Sequence, residues 1–272
     1  MAQACFATRE QAWMLRATAE GAERHPEAAR VLAVRAFALG WSGDSLACVA
    51  IARRLVEADP DYHAGYEVLG RALTDLGELE EARNVLERAC ALDTLCPRSL
   101  QALAWVRLQQ GDSTEAVELY DQVVTLAPRF LDAYVQYGDA LRAAGDPAGA
   151  LARYEHVLSL HPTHVDAVIS CGQAYEELDE AEAARDAFGR ARELDPTRVD
   201  AAEYLWRVQE AQGWAEARVA DLERSAAENA EDPRFLHLRG HALRHLGRDE
   251  EAASLLVDAP ARCDHCRHLG VR

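Results

Sequence analysis

Lysine is missing altogether: every one of the 29 basic residues is arginine. That absence removes the phosphate-gripping lysine of nucleotide-binding loops, the Schiff-base lysine of pyridoxal chemistry and the lysine–glutamate ion pair of kinases. Basic charge is scarce overall. Against 46 acids the arginines leave a formal charge of −17, which repels phosphate backbones and anionic lipid headgroups, and no basic cluster offsets it. Nucleic acid and membrane surfaces are therefore not expected as partners; basic or neutral ones are favoured. No run approaches the eighteen or so apolar residues of a membrane span. The opening MAQACFATREQAWMLRATAE mixes acids and arginines and lacks the apolar centre of a secretory signal. Seven cysteines are an odd number, and Cys48, Cys90 and Cys171 fall at core-like places on helices. Reduced thiols in a cytoplasmic, acidic protein are the expectation, without disulfides. What is present is a folding composition, 49% hydrophobic and 28% charged.

It is also periodic. Pro26, Pro60, Pro128, Pro162 and Pro196 are separated by 34 residues or twice 34, with Thr94 interrupting the series. Counted in units from Ala29, the eighth place reads Ala36, Gly70, Ala104, Gly138, Gly172, Trp206, Gly240, and the twentieth reads Cys48, Ala82, Ala116, Ala150, Ala184, Arg218, Ala252. Within each unit apolar residues recur at three- and four-residue steps, as in Tyr66, Leu69, Leu73 and then Ala82, Leu86, Ala89, with Gly77 between them. Each unit thus reads as two helices. Gly43, Gly77, Gly111, Gly145, Gly213 and Gly247 stand where a left-handed residue ends the first helix. Asp44, Asp112 or Asp146 follows as cap of the second; Asp112 with Glu115 fits a capping box, and Pro147 suits a first helical position. The small eighth and twentieth residues predict a close crossing of the two helices. A single hairpin cannot bury its apolar face, so neighbouring hairpins must stack.

Tyr66, Leu69, Gly70, Leu73, Ala82, Leu86, Ala89 in one unit and Tyr134, Tyr137, Gly138, Leu141, Ala150, Tyr154, Pro162 in another resemble the tetratricopeptide repeat, or TPR, family. The resemblance implies an all-α fold: a right-handed superhelical solenoid of about seven helix-turn-helix TPR units, starting near residues 29, 63, 97, 131, 165, 199 and 233. Residues 1–28 would hold an N-terminal capping helix, 29–260 the solenoid and 261–272 a Cys/His-containing tail. The sixth unit breaks both small-residue rules. Either Ala217 replaces Arg218 at the crossing through a one-residue shift, or Trp206 wedges the hairpin open as a hinge.

The resemblance further implies that first helices line a concave groove, with the second, fifth, ninth, twelfth and thirteenth places of each unit facing it. Its early part offers Arg30, Phe37, Trp41, Arg71, Arg98, Gln101 and Trp105. Its later part offers Asp132, Asp139, Asp166, Glu176, Glu177, Asp200 and Glu203, relieved by Arg142 and Arg207. Much of this charge can be ordinary solvation. A wall aromatic and cationic at one end and acidic at the other nevertheless suits an extended peptide or helix of another protein, with Trp41 and Trp105 as anchors. The expectation is a non-enzymatic scaffold or adaptor, with self-association compatible with it. The clamp of lysines and asparagines by which chaperone-binding members hold a C-terminal carboxylate is lacking, since Asn84 and Asn229 are the only asparagines. The asparagine-lined groove of the sugar-transferase members is lacking for the same reason.

The stretch FLHLRGHALRH places His237, His241 and His245 on one helical face, and Cys263 and Cys266 follow. No cofactor is required by the scaffold reading. Yet His237 and His241 with Cys263 and Cys266 would suit tetrahedral zinc if the chain returned to bring them together. A frayed tail or short capping helix is the plainer alternative. The competing function is a metal-binding protein or metal-dependent hydrolase at this end, with Asp264 or Glu250 as base.

Overall fold

A computed structural model describes residues 28–212 and 247–256, together with Thr18 and isolated positions between 220 and 244. Among the described residues there are helices and turns and no strand. Six first helices run α1 Ala29–Ser42, α3 His63–Asp75, α5 Pro97–Gln109, α7 Leu131–Ala143, α9 Val165–Glu177 and α11 Val199–Ala211. Second helices are α2 Ser45–Ala58, α4 Leu79–Leu92, α6 Ser113–Leu126, α8 Pro147–Leu160, α10 Ala181–Leu194 and, further on, α12 Asp249–Leu256. The first helices begin at 29, 63, 97, 131, 165 and 199, so the 34-residue spacing of small residues is also the spacing of helix starts. The fold is all-α, built of consecutive helix-turn-helix repeats.

Local chemistry sets the turns. Gly43, Gly77, Gly111, Gly145 and Gly247 have φ between 70° and 87°, the left-handed region that costs a Cβ-bearing residue about 1–2 kcal/mol. In the fifth repeat that place belongs to Asp179, at φ 59°. Asp44, Asp112 and Asp146 then cap the second helices by accepting from the backbone N–H of Ala47, Glu115 and Gly149 at 3.1, 3.3 and 2.8 Å. Glu78 and Glu180 stand at the same place without a side-chain cap, being one methylene longer. The expected capping box at Asp112 is only half made. The Glu115 carboxylate lies 3.1 Å from the Arg107 guanidinium instead of turning back to the cap.

The chain divides into two compact units, residues 1–144 and 145–272. In the first, α1 packs on α2, α3 on α4, α5 on α6 and α6 on α7. Successive first helices also touch, α1 with α3, α3 with α5 and α5 with α7. The core of the first repeats joins Ala36, Leu39, Ala52, Leu69, Leu73, Leu86 and Leu103. Burying a leucine such as Leu73 or Leu86 stabilises by roughly 1.5–3 kcal/mol. In the second unit α8 packs on α9, α9 on α10 and α10 on α11, around Val168, Ile169, Phe188, Leu205 and Val208.

The close crossing is not made by small residues on both helices. A Cβ on Gly70 would overlap Leu86, and one on Gly172 would come within 2.7 Å of three atoms of the Phe188 ring. Glycine at the eighth place makes room for a large side chain at the twenty-fourth. Ala82 and Ala184, at the twentieth place, are fully buried beside them.

Two predicted features lie outside what is described. Trp206 is half-buried on an unbroken α11, but Gly213, Ala217 and Arg218, which would distinguish a shifted second helix from a wedge, are not among the described residues. Nor are the segment 1–17 or the tail 261–272.

Candidate interaction groove

Because α3, α5 and α7 lie in sequential contact within the first compact unit, residues at equivalent places on them converge. They line a cleft of about 460 Å³. Helix α3 contributes Arg71, Thr74 and Asp75, helix α5 Arg98, Gln101, Ala102 and Trp105, and the third wall is Phe130 with Asp132 and Gln136 of α7. Five residues named from the sequence, Arg71, Arg98, Gln101, Trp105 and Asp132, thus border one cavity. Gln101 Nε2 donates to Gln136 Oε1 at 2.8 Å and ties α5 to α7 across its floor. Thr74 Oγ1 donates to the Gly70 carbonyl, and Asp75 accepts from Ser45 Oγ at 3.3 Å. Trp105 is 37% exposed, so part of its indole is open to an occupant.

Arg71 and Arg98 have no hydrogen bond or ion pair among the described residues. Both act electrostatically on Glu67, one turn before Arg71 on α3 and 4% exposed. Burial pushes the Glu67 carboxyl up from its usual range, and Arg71, Arg98, His63 and the Cys96 thiol pull it back down. The two guanidiniums therefore keep donors for something else.

The other named residues stand elsewhere. Arg30 is exposed on α1, and Trp41 at its end is 79% exposed. Phe37 is half-buried and packs against the core of the first repeats. Asp139 and Arg142 are half-buried on α7 and do not line the cleft. Within the second unit Arg198 bridges Asp166 and Asp200 at 2.7 Å each, and Arg207 pairs with Glu176 while lying 4.9 Å from the Tyr204 ring centre. The zinc ligands foreseen at His237, His241, Cys263 and Cys266 lie outside the described residues.

Sequence reasoning did not name Thr74, Asp75, Phe130 or Gln136. Thr74 and Asp75 occupy the twelfth and thirteenth places, and the rule that found Trp41 would have found them. Phe130 precedes its helix and Gln136 sits at a sixth place, so neither belongs to the face considered. Among the cysteines, Cys48 and Cys171 are buried and Cys90 is half-buried; all three are free thiols, as is Cys96. Burial raises Cys48 and Cys90 to about 11 and Cys171 to about 12, so all three stay protonated at neutral pH.

Comparison with known proteins fits this geometry. Two tetratricopeptide-repeat family patterns match, one over residues 32–97 and 102–164 and one over 141–205, together more than half of the chain. The chain belongs to the tetratricopeptide-repeat family. No curated protein sequence matches it. Among solved structures it is similar to YrrB, described as a TPR protein with an unusual peptide-binding site, at 21% identity and TM-score 0.55 over 69% of this chain and 96% of that one. It is also similar to a tetratricopeptide repeat protein from Parabacteroides merdae, at 17% identity and TM-score 0.65 over 86% and 92%. The type IV pilus biogenesis factor PilW aligns at 14% identity and TM-score 0.68 over 76% and 96%. At these identities the likeness is one of fold. That fold is a scaffold for protein–protein interaction, and members of the family are typically non-enzymatic. Among the described residues no helix is long and apolar enough to cross a membrane.

Proposed function

We propose that the chain is a cytoplasmic adaptor whose first compact unit holds an extended peptide of a partner protein in the cleft between α3, α5 and α7. One acidic side chain of the peptide lies between Arg71 and Arg98, and a neighbouring apolar one rests on Trp105. The observation that carries this reading is the pair of arginines, lining a cleft of about 460 Å³ without an ion pair among the described residues. A guanidinium fork is suited to a carboxylate, and such charge-assisted hydrogen bonds are about twice as strong as neutral ones. Asp132 on the opposite wall supplies the other sign, which fixes the direction in which a peptide lies. The chain's acidity as a whole favours basic partners, but this cleft is locally balanced and accepts an acid. Trp41, well away from that cavity in sequence, is a second anchor for a longer partner.

The test is a selection from a random peptide-display library against the full chain. Enriched peptides are expected to carry an acidic residue beside an aromatic or aliphatic one, and enrichment is lost with Arg71→Ala, Arg98→Ala and Trp105→Ala. Enrichment unchanged in all three variants would refute the assignment of this cleft.

A further inference from the structure

The loop joining the second and third repeats contains a cluster unlike any peptide-binding feature. His63 opens α3, Glu67 follows one turn later on the same helix, and Asp93 and Cys96 belong to the loop between α4 and α5. One donor atom each of His63, Asp93 and Cys96 lies within 4.8 Å of the others, all three half-buried. Glu67, 4% exposed, points into the same place: its Oε2 is 3.9 Å from Cys96 Sγ, and the thiol is its hydrogen-bond partner. A carboxylate so deeply buried normally has a strong donor or a metal to hold it. Asp93 is already oriented. Its Oδ1 accepts from the Leu95 backbone N–H at 3.1 Å, which leaves Oδ2 facing His63 Nε2 at 3.8 Å.

Departures from the repeat pattern coincide here. Thr94 stands at the place of Pro60, Pro128, Pro162 and Pro196, and the place of His63 is held by Ala29, Pro97, Leu131, Val165 and Val199; Asp93 has counterparts in Asp59 and Asp195, and Glu67 in Glu203. Asp195 makes the same turn as Asp93, accepting from the Thr197 backbone N–H at 3.0 Å, so an aspartate at this place also serves the loop; no other repeat holds all four donors together.

We propose that His63, Asp93 and Cys96, with Glu67 as fourth donor, form a zinc-class metal site that fastens the loop before α5 to the N-terminal turn of α3. One imidazole nitrogen, one thiolate and two carboxylate oxygens are a borderline set suited to tetrahedral zinc. Bond lengths of about 2.0–2.3 Å put tetrahedral donors about 3.3–3.8 Å apart, so His63, Asp93 and Cys96, now within 4.8 Å of one another, close by shifts of about an ångström, and Glu67 turns in beside Cys96. Binding forms the metal–sulfur bond and breaks the Cys96 S–H bond, and the proton leaves to solvent. Three anionic donors around a divalent ion leave one negative charge, and Arg71 and Arg98 are the cations within electrostatic reach of Glu67.

The experiment titrates Co²⁺ into the metal-free, full-length protein carrying Cys263→Ser and Cys266→Ser, which removes thiolate donors of the tail. One equivalent is expected to give a sulfur-to-cobalt charge-transfer band with tetrahedral d–d bands, displaced by Zn²⁺. Cys96→Ser abolishes the charge-transfer band, Asp93→Asn and Glu67→Gln weaken binding at least tenfold, and Cys171→Ser leaves the titration unchanged. Circular dichroism checks that each variant keeps its helices, and the isosteric Asp93→Asn and Glu67→Gln carry the test if Cys96→Ser does not fold. No thiolate band in the Cys263→Ser, Cys266→Ser background, a band that survives Cys96→Ser, or unweakened binding in both isosteric variants overturns the site.

Discussion

In the first compact unit, Arg71 and Arg98 border a cleft with no ion pair among the described residues; in the second, Arg198 holds Asp166 and Asp200 and Arg207 holds Glu176. Both arrangements draw on the same repeat. The second place is Arg98 in the third repeat and Asp166 and Asp200 in the fifth and sixth, while the ninth is Arg71 in the second and Arg207 in the sixth. The difference is one of pairing rather than of composition. Arg198 and Arg207 are paired with acids of the fifth and sixth repeats, whereas Arg71 and Arg98 have no ion pair among the described residues although Asp75 and Asp132 border the same cleft. The contrast teaches that the same repeat places can hold charges in pairs or leave them unpaired in a cleft balanced in sign, and an unpaired guanidinium is the one with donors to spare.

The contrast can be broken most sharply at the cleft. Replacing both Arg71 and Arg98 by alanine is expected to weaken a selected acidic peptide by about 2–3 kcal/mol, in proportion to the loss of a charged hydrogen-bond partner, and to lower the thermal midpoint, because the buried Glu67 loses the two cations that offset its burial; calorimetric titration and a melting curve read the two quantities separately. Gly172→Ala tests the packing beneath the second unit. Its new Cβ meets the rigid Phe188 ring, and a loss of about 1–3 kcal/mol in urea unfolding is expected. Gly189→Ala, with nothing within 4 Å of its Cβ, should instead gain up to about 1 kcal/mol.

Arg198→Ala is expected to cost about 0.5–1 kcal/mol, the range of partly exposed pairs, without an effect on peptide binding. Its pH dependence has a definite sign. The Arg198 hydrogen bonds hold the Asp200 carboxyl below its usual value, so the stabilisation is fully present above about pH 4 and is lost as pH falls through the lowered value. The variant should therefore lose less stability than the parent in acid, and equal acid limbs would contradict the pairing. Smallest is Asp179→Gly, expected to stabilise by about 0.5 kcal/mol because glycine adopts φ 59° without a Cβ penalty; a lower melting temperature would count against it.

Much of this organisation was legible in the sequence, because a strict period converts position into geometry. Gly77, Ala82 and Pro128 each imply their counterparts 34 residues on, and Arg71, Arg98 and Trp105 followed from asking which helical places share a face. The mutual accommodation of Gly172 and Phe188 was not legible, since spacing gives the face a residue occupies and not the volume opposite it. Arg198 escaped because it precedes its helix; a long guanidinium stem reaches acids from a place that period counting does not include. The His63, Glu67, Asp93 and Cys96 grouping escaped for a related reason. Its members stand at the two ends of the second repeat, far apart in the chain, and only the missing proline at Thr94 marks the spot.

The fit of Gly70 to Leu86 and of Gly172 to Phe188 also bears on how such a chain diversifies. Each cavity and its occupant belong to the same hairpin, so a duplicated or transplanted block of 34 residues travels with its lock and key together. A crossover inside the turn, at Gly77 or Asp179, would separate them and inherit a void or a collision. The heritable module is the folded pair, and every break between its eighth and twenty-fourth places is penalised.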